Sequence, residues 1–182
     1  TLKNKLGERN PIALRYIEYG YTAIREGELL SGLAKVERTY GADHLRAIHR
    51  HLFQDIYDWA GEFRTINMGK NAAGFANIEN GDLDQMLKEV QRAVGQVRWD
   101  DLNADQFAMS QAALFSFVNH AHPFREGNGR TSKIFMEHVA EQSRFTLDFS
   151  QVDRDLWNAT SEASRPKPER PYLDPLPLVN VF

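Results

Sequence analysis

His122-Pro123-Phe124-Arg125-Glu126-Gly127-Asn128-Gly129-Arg130-Thr131-Ser132-Lys133 gathers a base, an acid, two glycines, an amide and three cations into one short run. Upstream, Phe107, Leu114, Phe115 and Val118 recur at roughly helical spacing, so residues 105–120 are predicted to form an amphipathic helix that ends just before the run. Downstream, Ile134, Phe135 and Val139 open a second apolar face. The run reads as a loop between two helices, with its last residues forming the first turn of the second.

That placement has chemical content. The first N–H groups of a helix lack partners within it and carry the positive end of its dipole, so such a terminus attracts anions. Gly127 and Gly129 let the backbone turn tightly and come close to a ligand, and Asn128 can add an amide donor, which together make a phosphate cradle. Arg130 and Lys133 lie three apart and can both aim at a polyphosphate, one as a planar fork and the other as a point charge. A carboxylate among so many anion binders, Glu126, suits a Mg²⁺ ion, which takes one or two carboxylates plus phosphate oxygens. His122 is the group able to accept a proton near neutral pH.

These residues resemble the signature of the Fic family, His-Pro-Phe-x-(Asp/Glu)-Gly-Asn-Gly-Arg-x-x-Arg, at every position but the last. The likeness extends to Thr1–Gly7, to the run from His44 to Thr65 and to Gly74-Phe75-Ala76, so it covers nearly the whole chain. It implies an all-α fold, a helical bundle with a β-hairpin flap over the active-site loop, built from residues 1–164 with 165–182 as a C-terminal arm. It also implies transfer of AMP from ATP to a Ser, Thr or Tyr hydroxyl of a target protein, with release of pyrophosphate. His122 would then be the general base and Glu126 the Mg²⁺ ligand. Phe124, Gly127, Asn128, Gly129, Arg130 and Lys133 would bind ATP and its phosphates. Lys133 stands where the family has a second arginine for the γ-phosphate, and lysine keeps the charge but not the fork. Gly129 stands where the phosphorylating Doc branch has lysine, which favours AMP transfer over phosphorylation. A catalytically impaired nucleotide-binding module is the alternative that Lys133 leaves open.

Composition sets the outer bounds. A chain of 182 residues with 42% hydrophobic side chains, 11 Phe and 3 Trp fits one domain with a sizeable core. A net charge of −3 and an isoelectric point near 6.1 argue against direct nucleic-acid binding. The absence of cysteine rules out disulfides, thiol catalysis and thiolate metal sites. No apolar run reaches membrane-spanning length, and no signal-like stretch opens the chain. Thr1 in place of an initiator methionine is expected of a piece of a longer protein. The location expected is the bacterial cytoplasm, or a target cell that receives a longer secreted protein.

Along the chain, Asn10 and Pro11 mark the start of a helix to Gly27, whose Thr22-Ala23-Ile24-Arg25-Glu26-Gly27 matches the (Ser/Thr)-x-x-x-Glu-(Gly/Asn) pattern by which some Fic proteins place an inhibitory glutamate. Glu26 is therefore a candidate inhibitor within the chain. A separate small antitoxin-like protein is the other expected source of a blocking glutamate. Residues 41–57 are predicted to form a helix with Leu45, Ile48, Leu52, Phe53 and Ile56 on one face, and its histidines 44, 49 and 51 are read as packing residues. Residues 63–78 alternate like a hairpin, in which Phe75, Ala76 and Asn77 would dock the target through main-chain pairing on an exposed edge. Helices are expected again over 82–97 and 153–164, and the Fic resemblance implies that the second borders the adenine, with Asn158 or Thr160 near the base. The proline-rich tail reads as an extended arm. A rival site would be a metal-dependent hydrolase on His120, His122 and either Glu126 or His138.

Overall fold

The computed structural model describes residues 1–70 and 73–182 and contains six α-helices among them. Helix α1 (Pro11–Leu30) begins where Asn10 Oδ1 accepts the N–H groups of Ile12 and Ala13, and Pro11 fits the first position because no partner is needed there. It runs one turn past the expected end at Gly27 and buries Leu14, Glu18, Thr22 and Leu29. Helix α2 (Ala42–Phe53) buries His44, Leu45, Ile48, His49, Leu52 and Phe53. It stops short of residue 57, yet Ile56 and Tyr57 remain in the core through a turn bonded back to Phe53.

Helix α3 (Asp82–Gln96) buries Leu83, Leu87, Val90 and Val94, a stripe at three- and four-residue spacing. Helix α4 (Ala104–Ala121) opens with a reciprocal capping box between Asn103 and Gln106. Helix α5 (Asn128–Ala140) is buried nearly all round, and α6 (Arg154–Ala163) starts at Asp153, whose carboxylate accepts two helix N–H groups. Helix α3 lies on α4, α4 on α5, and α2 lies against both α5 and α1, so α5 and the loop before it sit at the centre of the bundle. None of the described helices is long and apolar enough to cross a membrane.

Apart from an isolated bridge between Lys167 and Arg170, strand pairing among the described residues is confined to β1 (Gly69–Lys70) and β2 (Ala73–Gly74), antiparallel with Gly69 opposite Gly74. Asn71 and Ala72, the middle of the expected hairpin, lie outside the described residues.

The tail is not an extended arm. Its 3₁₀ stretch Leu176–Val181 packs on α4 and α6 and buries Leu178 and Val181. The Phe182 ring meets Phe115 at 5.5 Å and Phe149 at 5.9 Å. The prolines prevent an α-helix but not burial.

Candidate active site

The loop between α4 and α5 is held from below. Gly127, the N-cap of α5, has φ of +79°, and a Cβ there would lie 2.2 Å from Phe53 Cζ, so both backbone and space demand glycine. The Asn128 side chain closes the loop on itself, with Oδ1 accepting the Phe124 N–H at 2.9 Å and Nδ2 donating to the Phe124 carbonyl at 2.7 Å. His49 ties the loop to α2. Its Nδ1 accepts the Gly61 N–H at 2.8 Å, which leaves the proton on Nε2 to donate to the Glu126 carbonyl at 3.0 Å. Burial pushes this imidazole down to about 4, so it stays neutral while stacked 3.9 Å from Phe124. The sequence reading treated His49 as packing only. Its place on the buried face, four residues after Leu45 and four before Phe53, was the available signal.

His122 ends α4 in the left-handed region, at φ 41° and ψ 58°, a conformation costly for a residue with a Cβ. Arg64 holds it there. Arg64 as a residue is 5% exposed, and its guanidinium donates to the carbonyls of His122 at 2.8 Å, Ile66 at 2.9 Å, Ala121 at 3.3 Å and Ala76. The Arg64 N–H adds a bond to the Pro123 carbonyl at 2.8 Å. Burial lowers its proton affinity, and the Asp82 carboxylate offsets only part of this. Nothing in the sequence pattern marked Arg64, because its role depends on carbonyls of Ala76, Ala121 and His122, 12 to 58 residues away, converging beside that of Ile66.

The flap residues meet the loop directly. The Phe75 ring stacks on His122 with centroids 3.6 Å apart, and the buried Arg165 guanidinium lies 4.7 Å over the other ring face. Ala76 is buried, with its N–H on the His120 carbonyl at 2.8 Å and its own carbonyl on Arg64. The N–H groups of Phe75 and Asn77 are likewise taken, by the Met68 carbonyl at 3.2 Å and by Asp82 Oδ2 at 3.2 Å. These three residues therefore do not offer the main-chain N–H groups that the expected edge pairing requires.

At the start of α5 the first intrahelical bond is Thr131 N–H to the Gly127 carbonyl at 3.0 Å, so the amides of Asn128, Gly129 and Arg130 precede the helix ladder. Gly129 faces open space. The Gly127 N–H instead bonds Glu126 Oε1 at 3.0 Å. Arg130 is turned towards α1. Its guanidinium pairs with Glu18, donates to Thr22 Oγ1 at 3.1 Å, and sits between the rings of Tyr19 at 5.0 Å and Phe53 at 4.8 Å. Glu18 also accepts the Tyr57 hydroxyl. The sequence reading missed Glu18, although Glu18, Thr22 and Glu26 repeat every four residues along one face of α1. Burial raises Glu26 above the usual carboxylate range, and Lys133 and Arg130 offset only part of that rise. Lys133 rests over the rings of Trp157 at 4.7 Å and Phe149 at 5.3 Å.

Two cavities flank the loop. One, of about 150 Å³, is lined by His122, Phe124, Asn128 and Gly129 together with Trp157, Asn158, Ser161 and Glu162 of α6. The other, of about 640 Å³, is lined by Arg125, Glu126 and Arg130 with residues of α1 and Arg154. His122 and the amide end of α5 thus share a wall, while Glu126 and Arg130 face the far side of the same loop, and Thr160 and Lys133 line neither space. The histidines of the rival hydrolase do not converge. His120 lies 3.4 Å from Asp82, His138 bonds His44 at 2.9 Å, and no group of three metal-ligating side chains exists among the described residues.

Known proteins resemble this chain in sequence and in fold. The chain is 32% identical over 159 residues to protein adenylyltransferase VbhT of Bartonella schoenbuchensis, covering 85% of this chain and 32% of that protein, so it spans about a third of that relative's length. It is 30% identical over 167 residues to the Escherichia coli K12 protein named as a probable protein adenylyltransferase, Fic, covering 89% of this chain and 78% of that one. The crystal structure of BepC, a VirB-translocated effector of Bartonella tribocorum with bound AMPPNP, superposes with a TM-score of 0.85 at 25% identity over 100% of this chain and 90% of that one. The family model described as Fic/DOC matches residues 39–140, and with that match the helical bundle, its central loop and the run from His122 belong to a member of the Fic/DOC family.

Proposed function

We propose that this chain transfers the adenylyl group of ATP to a hydroxyl side chain of a target protein. The observation that carries this reading is the shared wall of the smaller cavity, where the His122 imidazole stands beside the amide end of α5. The target hydroxyl oxygen forms a bond to the α-phosphorus, the bond from that phosphorus to the bridging oxygen breaks, and pyrophosphate leaves. The hydroxyl proton passes to His122. Asn128 keeps the loop closed, and the Gly129 and Arg130 amides offer donors to the phosphate oxygens. Positioning and charge neutralisation supply most of the rate in such transfers. Glu126 suits Mg²⁺, since its carboxylate is about half exposed and opens on the larger cavity beside Arg130. When bound there the ion would neutralise charge on the leaving phosphates. The names of the relatives, adenylyltransferases, and the AMPPNP in BepC support the nucleotide and the reaction class.

The target docks at the flap, against Phe75 and the exposed Ile66, through side-chain contact. Restraint comes from a carboxylate brought to the phosphate site, supplied by Glu26 or by a small separate inhibitor protein. The family relatives include translocated effectors, which supports delivery into another cell as one location for a protein of this kind. A second reading, nucleotide binding without transfer, is favoured by one observation, the seating of Lys133 on Trp157 and Phe149.

ATP labelled at the α-phosphate separates these readings. Label is expected to pass to a protein in lysate from α-labelled and not from γ-labelled ATP, and to be lost in His122→Ala with ATP affinity retained. Binding without transfer by the unaltered chain would establish the second reading instead.

A further inference from the structure

We propose that Arg165 is a positioning residue for the transfer step: from the end of α6 it presses the flap ring of Phe75 onto His122 and so fixes the plane of the imidazole. This rests on the adenylyl-transfer reading above.

The need arises from the base and the flap together. Arg64 fixes the His122 backbone, but the torsion that turns an imidazole about its Cβ–Cγ bond is broad, so a held backbone does not set the ring plane. The Phe75 ring does set it, lying 3.6 Å from the imidazole with 13° between the two planes. Phe75 in turn follows a ladder of only Gly69 with Gly74 and Lys70 with Ala73, and so short a hairpin is marginal without further contacts. Its half-buried ring needs a second wall.

Arg165 supplies that wall. The His122 ring covers one face of Phe75, so the guanidinium, 4.7 Å from the ring centre, takes the opposite face. Arg165 is 3% exposed, and a cation drawn out of water is held to an aromatic face more strongly than one at the surface. Its main chain is tied down. The Arg165 N–H bonds the Glu162 carbonyl at 3.3 Å, and Arg170 donates to the Arg165 carbonyl at 3.0 Å while pairing with Asp174 at 2.8 Å. Just before it, Ser164 is fully buried. The Ser164 carbonyl accepts the Asp174 N–H at 2.9 Å, and its hydroxyl accepts Nδ2 of Asn119, three residues before His122 on α4, at 3.1 Å. The start of the tail thus aims a well-anchored cation at a ring that its own short hairpin does not hold. Arg165 also lines the cavity beside His122, so a direct contact with nucleotide is the use that the test must separate from positioning.

Transfer of label from α-labelled ATP into lysate protein, followed as an initial rate across an ATP series, tests this in the whole chain. Arg165→Met keeps the apolar stem and removes the charge. It is expected to lower the rate at saturating ATP about tenfold, less than the ~10²-fold of a full 1 Å misplacement because Arg64 still holds the backbone, with half-saturation by ATP unchanged within twofold. Arg165→Lys restores a cation over the ring and should recover most of the rate. In a Phe75→Leu background, Arg165→Met should cost nothing further, since the two side chains act as one unit. An NMR readout needs neither activity nor a change at residue 165: the Arg165 Nε–H resonance should move in Phe75→Leu as it loses the ring current. A full rate in Arg165→Met, an equal loss with and without the Phe75 ring, a loss confined to half-saturation, or an Arg165 resonance unmoved by Phe75→Leu overturns the proposal and leaves adenylyl transfer standing. Absence of transfer by the unaltered chain overturns both, and that control tells the two failures apart.

Discussion

Arg64 joins three parts of the chain at a single atom group, and its replacement is the sharpest residue-scale test. Lysine carries three donors on one nitrogen and cannot span carbonyls drawn from Ile66, Ala76, Ala121 and His122. Arg64→Lys is expected to fold and to bind ATP as before, because the amide end of α5 does not depend on it. Its kcat for target labelling should fall by about 10²-fold, the scale of a 1 Å misplacement of a reacting group, and ATP titration beside labelling kinetics would check the split. The two glycines of the motif give a paired prediction. Gly127→Ala forces a Cβ into the Phe53 ring at positive φ and should cost about 3 kcal/mol, whereas Gly129→Ala meets nothing within 4 Å and should leave the melting temperature unchanged or slightly raised. Urea unfolding of both variants measures the difference. The sequence made Gly127, Asn128 and His122 visible because their types and spacing carry chemistry locally. Arg64 and Glu18 were invisible for the opposite reason, since most of what each holds lies far away in the chain.

At the scale of elements, helices α2 and α5 are joined by histidines kept neutral. Burial holds His44 and His138, bonded to each other at 2.9 Å, far below the ordinary imidazole range, and His49 at about 4. The unfolded chain binds protons at these sites below about pH 6.5 while the fold does not, so stability is lost as pH falls through that window towards 4. Glu137 acts in the opposite sense. Burial first, and then Glu26, raise it to about 7, so it is protonated in the fold and weakens the fold as pH rises from about 4.5 to 7. Three imidazoles outweigh one carboxyl, and His49 alone is worth about 3 kcal/mol. Melting curves should therefore drop by roughly 10 °C or more between pH 7 and 4.5, and a flat profile would contradict the buried neutral state. The helices were legible because apolar residues recur every three or four positions. Their ends were less so: α2 stops at Phe53 although Ile56 and Tyr57 stay buried, since a turn can bury a side chain as well as a helix does.

For the whole molecule, the tail is part of the core. Removing residues 176–182 uncovers Phe115 and Trp157 and forfeits the burial of Leu178, Val181 and Phe182, at about 1.5–3 kcal/mol for each large apolar side chain. The truncated chain should melt about 10–20 °C lower, as read by circular dichroism. Composition misled here, because Pro166, Pro168, Pro171, Pro175 and Pro177 resemble a linker while the apolar residues among them find a surface that only the folded bundle creates. That surface ends at Trp157, whose indole borders the smaller cavity on one side, carries the Lys133 ammonium at 4.7 Å, and touches Phe182 on the other. Trp99 is buried elsewhere with its N–H on the Val94 carbonyl, and Trp59 stacks on Tyr57. The chain thus carries a built-in optical gauge: a ligand entering beside His122 should alter emission from Trp157, and Trp157→Phe should silence the change without any dye.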